Sequence, residues 1–343
     1  MKPLLNTLYV TTQGAYLHKD GEAVVVEVER EVRLRLPVHN LGGIVCFGNV
    51  MCSPFLMNHC AERGVSLSFL SENGRFLARV EGPISGNVLL RREQYRRAED
   101  LAASAALALC SVSGKVLNSR VVLMRAQRDY PEMPGRTDIE QAVARLDAVL
   151  MRLKPETPLD EVRGLEGDAA RAYFDVFDHL ITAQKDSFFF RERSRRPPLD
   201  RMNALLSFLY AMLGHDCRSA LEGVGLDPQV GFLHRDRPGR AGLALDLMEE
   251  FRPFLADRLA LSLVNLKQVQ ASGFTQLESG AVMMDDATRK AVLVAYQKRK
   301  QEELVHPFLE EKAPVGILPH LQARLLSRHL RGDLDAYPPF LWK

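Results

Sequence analysis

The chain has 343 residues, 46% of them hydrophobic and 26% charged, with a formal net charge of +2. That length suits one large domain or two unequal ones, and that composition excludes disordered and fibrous classes. No run approaches ~18 uninterrupted apolar residues, so no membrane span is expected. The five cysteines (Cys46, Cys52, Cys60, Cys110 and Cys217) form no CxxC pair. A zinc ribbon or disulfide framework is therefore not expected, and a reducing cytoplasm fits best.

In chain order, MKPLLNTLYVTTQG lacks an apolar run of signal-peptide length. Thr7–Thr12, Ala15–His18, Ala23–Val28 and Val32–Leu36 are short β-prone runs separated by turn signals at Gln13-Gly14 and Asp20-Gly21. Gly43–Phe47 and Val65–Leu70 read as two further strands. Between them Ser53-Pro54 starts a helix over Phe55–Arg63, and Gly64 ends it. Asn73-Gly74 predicts a tight hairpin into Arg75–Val80. The composition then shifts at EGPISGN (81–87), a Pro- and Gly-bearing linker. Helical periodicity follows over Val88–Cys110, Lys115–Arg128, Ile139–Leu153, Leu159–Thr182, Met202–Leu221, Leu243–Gln270, Asp286–Glu303 and Ile317–His329. The expected fold is α+β: a small β-sandwich-like domain (1–82), a linker (83–90) and a larger all-α-helical catalytic domain (91–343).

The net charge alone does not suggest a nucleic-acid partner, but the arginines bunch. Clusters occur at Arg91, Arg92, Arg96 and Arg97, at Arg120, Arg125 and Arg128, at Arg191, Arg193, Arg195 and Arg196, and at Arg235, Arg237 and Arg240. Local clusters make a phosphate footprint, although each taken singly also reads as a solvated helix face. No Walker loop, no GxGxxG after a strand, no GxSxG and no HExxH is present, which demotes nucleotide-cradling, serine-hydrolase and zincin chemistry.

Three segments carry the remaining chemistry. In Gly164-Leu165-Glu166-Gly167-Asp168 a carboxylate stands near a helix start between two glycines. It either complements the helix dipole or marks a place where something approaches the backbone. In RERSRRPPLDRMN (191–203) an arginine run enters a helix that Asp200 can cap, and it reads as phosphate contact or as a basic linker. In the third segment His234 closes Gly231-Phe232-Leu233, and Asp246 and Glu249 follow three apart on one helix face, with Glu250 also within reach of Asp246. Carboxylates with one imidazole suit Mg²⁺ or Mn²⁺, the nitrogen favouring Mn²⁺.

Together GLEGDAARAYF, RRPPLDRMNALLSFLY and GLDPQVGFLHRDRPGRAGLALDLMEEFRP resemble the CRISPR-associated adaptation integrases of the Cas1 family. LPVHNLGGIVCFGNVMCSP, GVSLSFLSENGRF, LVAYQKRK and the closing YPPF extend the resemblance over nearly the whole chain. The GFLH loop and the length look most like the subtype I-C branch. The resemblance implies a metal-dependent DNA endonuclease and integrase. Such an enzyme inserts short duplex spacers into a CRISPR array by 3′-hydroxyl attack on a phosphodiester. It implies Glu166 and His234 as metal ligands, with Glu249 as the later acidic ligand and Asp246 as a second ligand or a group behind it. Many family members have Asp where Glu249 stands. It further implies a homodimer, a Cas2 partner, a Cas4 nuclease in I-C-like systems, and DNA contacts from Arg91, Arg92, Arg96, Arg97, Arg191, Arg193, Arg195, Arg196 and Asn203. The alternatives from the residues alone are a non-catalytic DNA-binding scaffold and an unrelated metal-dependent phosphoesterase.

Overall fold

A computed structural model describes residues 7–72, 76–82 and 88–342. The chain divides into two compact units. One is Met1–Gly86 with Gln297–Glu302 and Pro314–Ile317, and the other is Asn87–Tyr296 with Glu303–Ala313 and Leu318–Lys343.

The first unit holds strands β1 (Thr7–Val10), β2 (Tyr16–Asp20), β3 (Ala23–Val28), β4 (Glu31–Pro37), β5 (Gly43–Phe47), β6 (Met51–Cys52), β7 (Ser66–Leu70) and β8 (Phe76–Val80), with helix α1 (Pro54–Arg63) before β7. They form two four-stranded sheets, ordered β1-β5-β7-β8 and β4-β3-β2-β6. The β-branched run of β3 is buried at Val24, Val25 and Val26, as an interior strand requires. Leu17, Val24 and Val26 from one sheet and Ile44, Cys46 and Leu67 from the other share a core with Leu56 and Cys60 of α1. The expected start and stop of α1 are present. The Ser53 hydroxyl accepts from Leu56 N, Pro54 opens the helix, and Gly64 closes it at φ 66° in the left-handed region. The Asn73-Gly74 turn lies outside the described residues. Its flanking strands pair antiparallel, Leu67 opposite Val80.

The second unit is built on helices α2 (Val88–Glu99), α3 (Leu101–Asp129), α4 (Arg136–Arg152), α5 (Leu159–Asp175), α6 (Arg201–Gly223), α7 (Gly242–Glu249), α8 (Arg258–Asn265), α9 (Asp286–Gln301, in this unit up to Tyr296) and α10 (Leu318–Leu330). Two short two-stranded sheets qualify the all-helical expectation. One pairs β9 (Phe274–Gln276) with β10 (Val282–Met284), the other β11 (Glu303–Val305) with β12 (Lys312–Pro314). Residues 88–90, expected in the linker, are the first turn of α2.

Helix α3 is the central element. By length and composition it could cross a membrane, but it packs against α4, α5 and α7. The sequence placed a break between Cys110 and Lys115, whereas the chain breaks at Asp100, whose carboxylate caps Ala102 N and Ala103 N. Gly114 is not a breaker. A Cβ there would stand 3.2 Å from both Glu250 Cγ and Pro339 Cβ, so the glycine permits close packing. The single helix expected over 243–270 is also divided. Pro253 has no N–H to give, and a π-helical stretch, Arg252–Asp257, intervenes between α7 and α8.

A buried polar network closes this unit. Tyr337 Oη, Gln322 Nε2 and Phe340 N all donate to the fully buried Glu250 carboxyl, at 2.7, 3.0 and 2.7 Å. Asn118 of α3 donates to Glu250 O and Phe340 O, and its side-chain oxygen accepts from Trp342 N. The C-terminal segment thereby ties the end of α7 to the middle of α3. Trp342 itself lies between the guanidinium groups of Arg125 and Arg258, at 4.6 and 4.3 Å.

Burial pushes the Glu250 carboxyl up to about 8 from 4.5, with the three donors pulling the other way. A raised folded-state pKa gives stability that is complete below the unfolded value and lost as pH rises through the folded one. Urea unfolding of the native sequence should therefore show stability falling between about pH 4.5 and pH 8. Glu250→Gln, which mimics the neutral acid, should flatten that slope above about pH 6, leaving below it the fall due to Asp257, whose buried carboxyl is lifted to about 6. Glu250→Ala should cost about 1–3 kcal/mol by leaving buried donors unpaired.

Candidate active site

Glu166 lies in the middle of α5. Leu159, Val162, Leu165, Ala169, Ala172 and Tyr173 bury one face of that helix, which turns Glu166 to the edge of the core. The expectation that Glu166 stands near a helix start is corrected accordingly. The glycines beside it answer to no packing need, since a Cβ at Gly164 or Gly167 would meet nothing within 4 Å.

The loop carrying His234 sits on the start of α7 through two glycines. A Cβ on Gly231 would stand 2.6 Å from Gly242 C, and one on Gly242 2.8 Å from Gln229 O. This close approach delivers three backbone N–H groups to one carboxylate. Asp246 Oδ2 accepts from Phe232 N and Leu233 N at 2.6 and 3.0 Å, and Oδ1 accepts from His234 N at 3.1 Å. Oδ1 also meets His234 Nδ1 at 2.6 Å. A carboxylate only accepts, so the imidazole proton is on Nδ1 and the Nε2 lone pair faces outward. It faces Glu249 Oε1, 3.9 Å away.

Asp246 and Glu249 thus share one helix face but not one environment. Glu249 is 2% exposed and lines an open cavity of about 700 Å³ together with Glu166 and His234, whereas Asp246 is not on its wall. Arg252 NH2 lies 3.1 Å from Glu249 Oε1, and the Lys115 ammonium 2.7 Å from Oε2. Burial pushes the Glu249 carboxyl up, but Arg252 and Lys115 hold it well below the usual carboxylate range. The Lys115 ammonium also pairs with Glu166 Oε1.

Two carboxylates and an imidazole converge here from α5, α7 and the 231–234 loop. Glu249 Oε2 is buried without a directional hydrogen bond, and its charge is met by the Lys115 ammonium. The pair therefore already accommodates a cation, and its donor chemistry fits a hard or borderline divalent one. Among the described residues, however, no three His, Cys, Asp or Glu side chains stand in chelating position. The Lys115 ammonium stands between Glu166 and Glu249.

The cavity wall carries ten cationic side chains against four carboxylates. Arg191, Arg193 and Arg195 are among them, as are Arg235, Arg237 and Arg240, whereas Arg196 is not. Arg193 is fixed by Asn203 Oδ1 at 2.6 Å and Ser207 Oγ at 3.1 Å, and it stacks 5.2 Å over Tyr210. Asn203 is fully buried, and its amide also donates to Glu192 O and Asp200 Oδ2. It positions the arginine run and does not reach the cavity. Arg91, Arg92, Arg96 and Arg97 also lie away from the cavity wall. Arg96 and Arg97 pair with Glu93, and Arg97 meets His329.

Lys115, Arg163, Arg171, Tyr210 and Arg252 are cavity residues that the sequence reading did not single out. Arg163 and Arg252 had a signal in their spacing, each three residues after an acid, Asp160 and Glu249. Arg163 Nε donates to Leu233 O at 2.7 Å, which ties α5 to the histidine loop. Lys115 had only its isolation in an apolar run.

Residues 8–298 match the family described as CRISPR associated protein Cas1. The chain is 55% identical to the CRISPR-associated endonuclease Cas1 1 of Chlorobaculum tepidum over the whole of both chains. It is 35% identical to a CRISPR-associated exonuclease Cas4/endonuclease Cas1 fusion of Geobacter sulfurreducens, over 97% of this chain and 60% of the fusion. Among solved structures, a Cas1 protein of Thermotoga maritima superposes with a TM-score of 0.81 at 22% identity, covering 97% of this chain and 99% of that one. The fold is also shared with a Cas6-RT-Cas1–Cas2 complex chain (TM-score 0.83, 21% identity, 98% of this chain and 36% of that one) and with a casposase bound to integration product (0.81, 21%, 98% and 94%). A family match over most of the length, a full-length relative at this identity and the same two-part fold place the chain in the Cas1 family of CRISPR-associated endonucleases.

Proposed function

We propose that the protein is a divalent-metal-dependent DNA endonuclease and integrase of CRISPR adaptation, with Glu166, His234 and Glu249 as the ion's ligands. One observation carries this reading: the three groups converge at the floor of a single basic cavity, with His234 locked in the tautomer that offers Nε2. Bound there, Mg²⁺ or Mn²⁺ supplies polarisation of a phosphoryl oxygen and offsets charge on the departing 3′ oxygen.

The chain's own residues do the rest. Asp246 orients the imidazole through Nδ1. Arg252 holds Glu249 through Oε1. Arg191, Arg195, Arg235, Arg237 and Arg240 line the approach and take backbone phosphates, which fixes register without reading sequence. With a DNA 3′-hydroxyl as nucleophile, one phosphodiester is exchanged for another and the strand is joined. With water in its place the same site cleaves.

The named relatives support the assembly. A Cas1–Cas2 complex shares this fold, and a Cas4/Cas1 fusion spans the chain. We assign DNA (spacer duplex and CRISPR repeat), a Cas2 partner, a Cas4 nuclease and a second copy of this chain as partners. The GFLH loop and the length favour the subtype I-C branch.

On branched DNA with Mn²⁺ or Mg²⁺, Glu166→Ala and His234→Ala should lower strand transfer and cleavage by at least about a hundredfold. Asp246→Asn should lose roughly 10–100-fold, as for other groups that orient a ligand. Activity that survives EDTA, or that equals wild type in the variants, would refute the assignment. The two groups of arginines should also separate in a salt titration of duplex binding. Arg191→Ala or Arg195→Ala should each reduce the slope of log affinity against log salt by about 0.9, while Arg92→Ala leaves it unchanged.

A further inference from the structure

Lys115 is 8% exposed in the middle of α3, and its ammonium contacts Glu166 and Glu249 together. Its backbone cannot move aside. Gly114 is packed against Glu250 and Pro339, and Asn118, one turn on, is bonded to Glu250 O and Phe340 O. The side chain is the mobile part, four methylenes with a point charge at the tip. It also lines the open cavity, so it has somewhere to go.

The charges in direct contact at Glu166 and Glu249 balance as they stand. Two carboxylates, Glu166 and Glu249, face two cations, Lys115 and Arg252. A divalent ion added to that set leaves a surplus of two positive charges around a buried carboxylate. Like charges at this spacing in a half-buried site repel strongly.

Resting on the metal site assigned above, we propose that Lys115 is a built-in competitor cation. It holds Glu166 and Glu249 in position, and metal loading requires its ammonium to swing out into the basic cavity. The DNA-free enzyme therefore binds its metal weakly. A phosphate arriving in the cavity gives the displaced ammonium a new partner, which couples metal loading to DNA occupancy. Such coupling restrains hydrolysis at an empty site.

The test is Mn²⁺ binding to the DNA-free full chain, read from the electron paramagnetic resonance signal of free aqueous Mn²⁺. Lys115→Met and Lys115→Gln should each bind Mn²⁺ roughly tenfold or more tightly than wild type. Both should melt below wild type without metal and gain more from saturating Mn²⁺. Lys115→Gln keeps polar contacts to both carboxylates and serves if the Met variant does not fold. A lysine that only braces the structure gives the opposite result, affinity equal to wild type or weaker, and that outcome overturns the proposal. The Glu166→Gln variant separates this failure from failure of the site itself. Mn²⁺ affinity lost on Glu166→Gln but unmoved by the Lys115 variants overturns the competitor role alone. Affinity indifferent to Glu166→Gln, or no binding by any of the proteins, overturns the metal site and the competitor role together.

Discussion

The Asp246 carboxylate is the group on which the rest of the site depends. It accepts three successive backbone N–H groups and the imidazole Nδ1. Charge-assisted bonds of this kind are the strong ones, and they convert a loop of four residues into an extension of α7. Two glycines make the contact possible, because Gly231 and Gly242 approach more closely than side chains permit. The direction of His234 Nε2 is a consequence, as is the division of labour between two acids three residues apart.

The same economy of parts holds the other two carboxylates on the cavity wall. Glu166 and Glu249 come from α5 and α7, which both pack on α3. The Glu250 carboxyl, adjacent in sequence to Glu249, faces away from the cavity into a network with Gln322, Tyr337 and Phe340. One side of the α7 end is thus anchored to the C-terminal segment while the other presents Glu249. Behind the cavity the buried Asp257 accepts from Tyr210 at 2.6 Å, and burial lifts its carboxyl to about 6. Tyr210 in turn lies between Arg193 and Arg252 at 5.2 and 4.9 Å. Stacking on Tyr210 thus fixes Arg193 and Arg252 on the cavity wall, with Asn203 holding Arg193 as well.

Much of this was legible in the sequence, for identifiable reasons. The i, i+3 spacing of Asp246 and Glu249 put them on one face, and a loop histidine after Gly231 was visible without coordinates. Which acid faces the cavity was not legible, because that depends on where three loop amides point. The cap at Ser53 and the stop at Gly64 follow local rules and were readable. The gap left between Cys110 and Lys115 is helix in the structure, where Gly114 allows close packing on Glu250 and Pro339. Pro253 divides a long apolar run that periodicity alone reads as continuous. Lys115 was hidden for a different reason. It stands 51 residues before Glu166 and 134 before Glu249 in the numbering, and nothing local ties it to either. The arginine clusters were equally basic on paper, and only the fold separates Arg191, Arg193 and Arg195 on the cavity wall from Arg96 and Arg97 paired to Glu93.

The central claim is that His234, held by Asp246, offers Nε2 to an ion shared with Glu166 and Glu249. Pulsed electron paramagnetic resonance of the Mn²⁺-loaded protein reads nitrogen coordination directly. The account predicts the coupling of a single imidazole nitrogen, lost in His234→Gln and retained in His329→Gln. A Mn²⁺ signal without nitrogen coupling, or one that persists in His234→Gln, would contradict it.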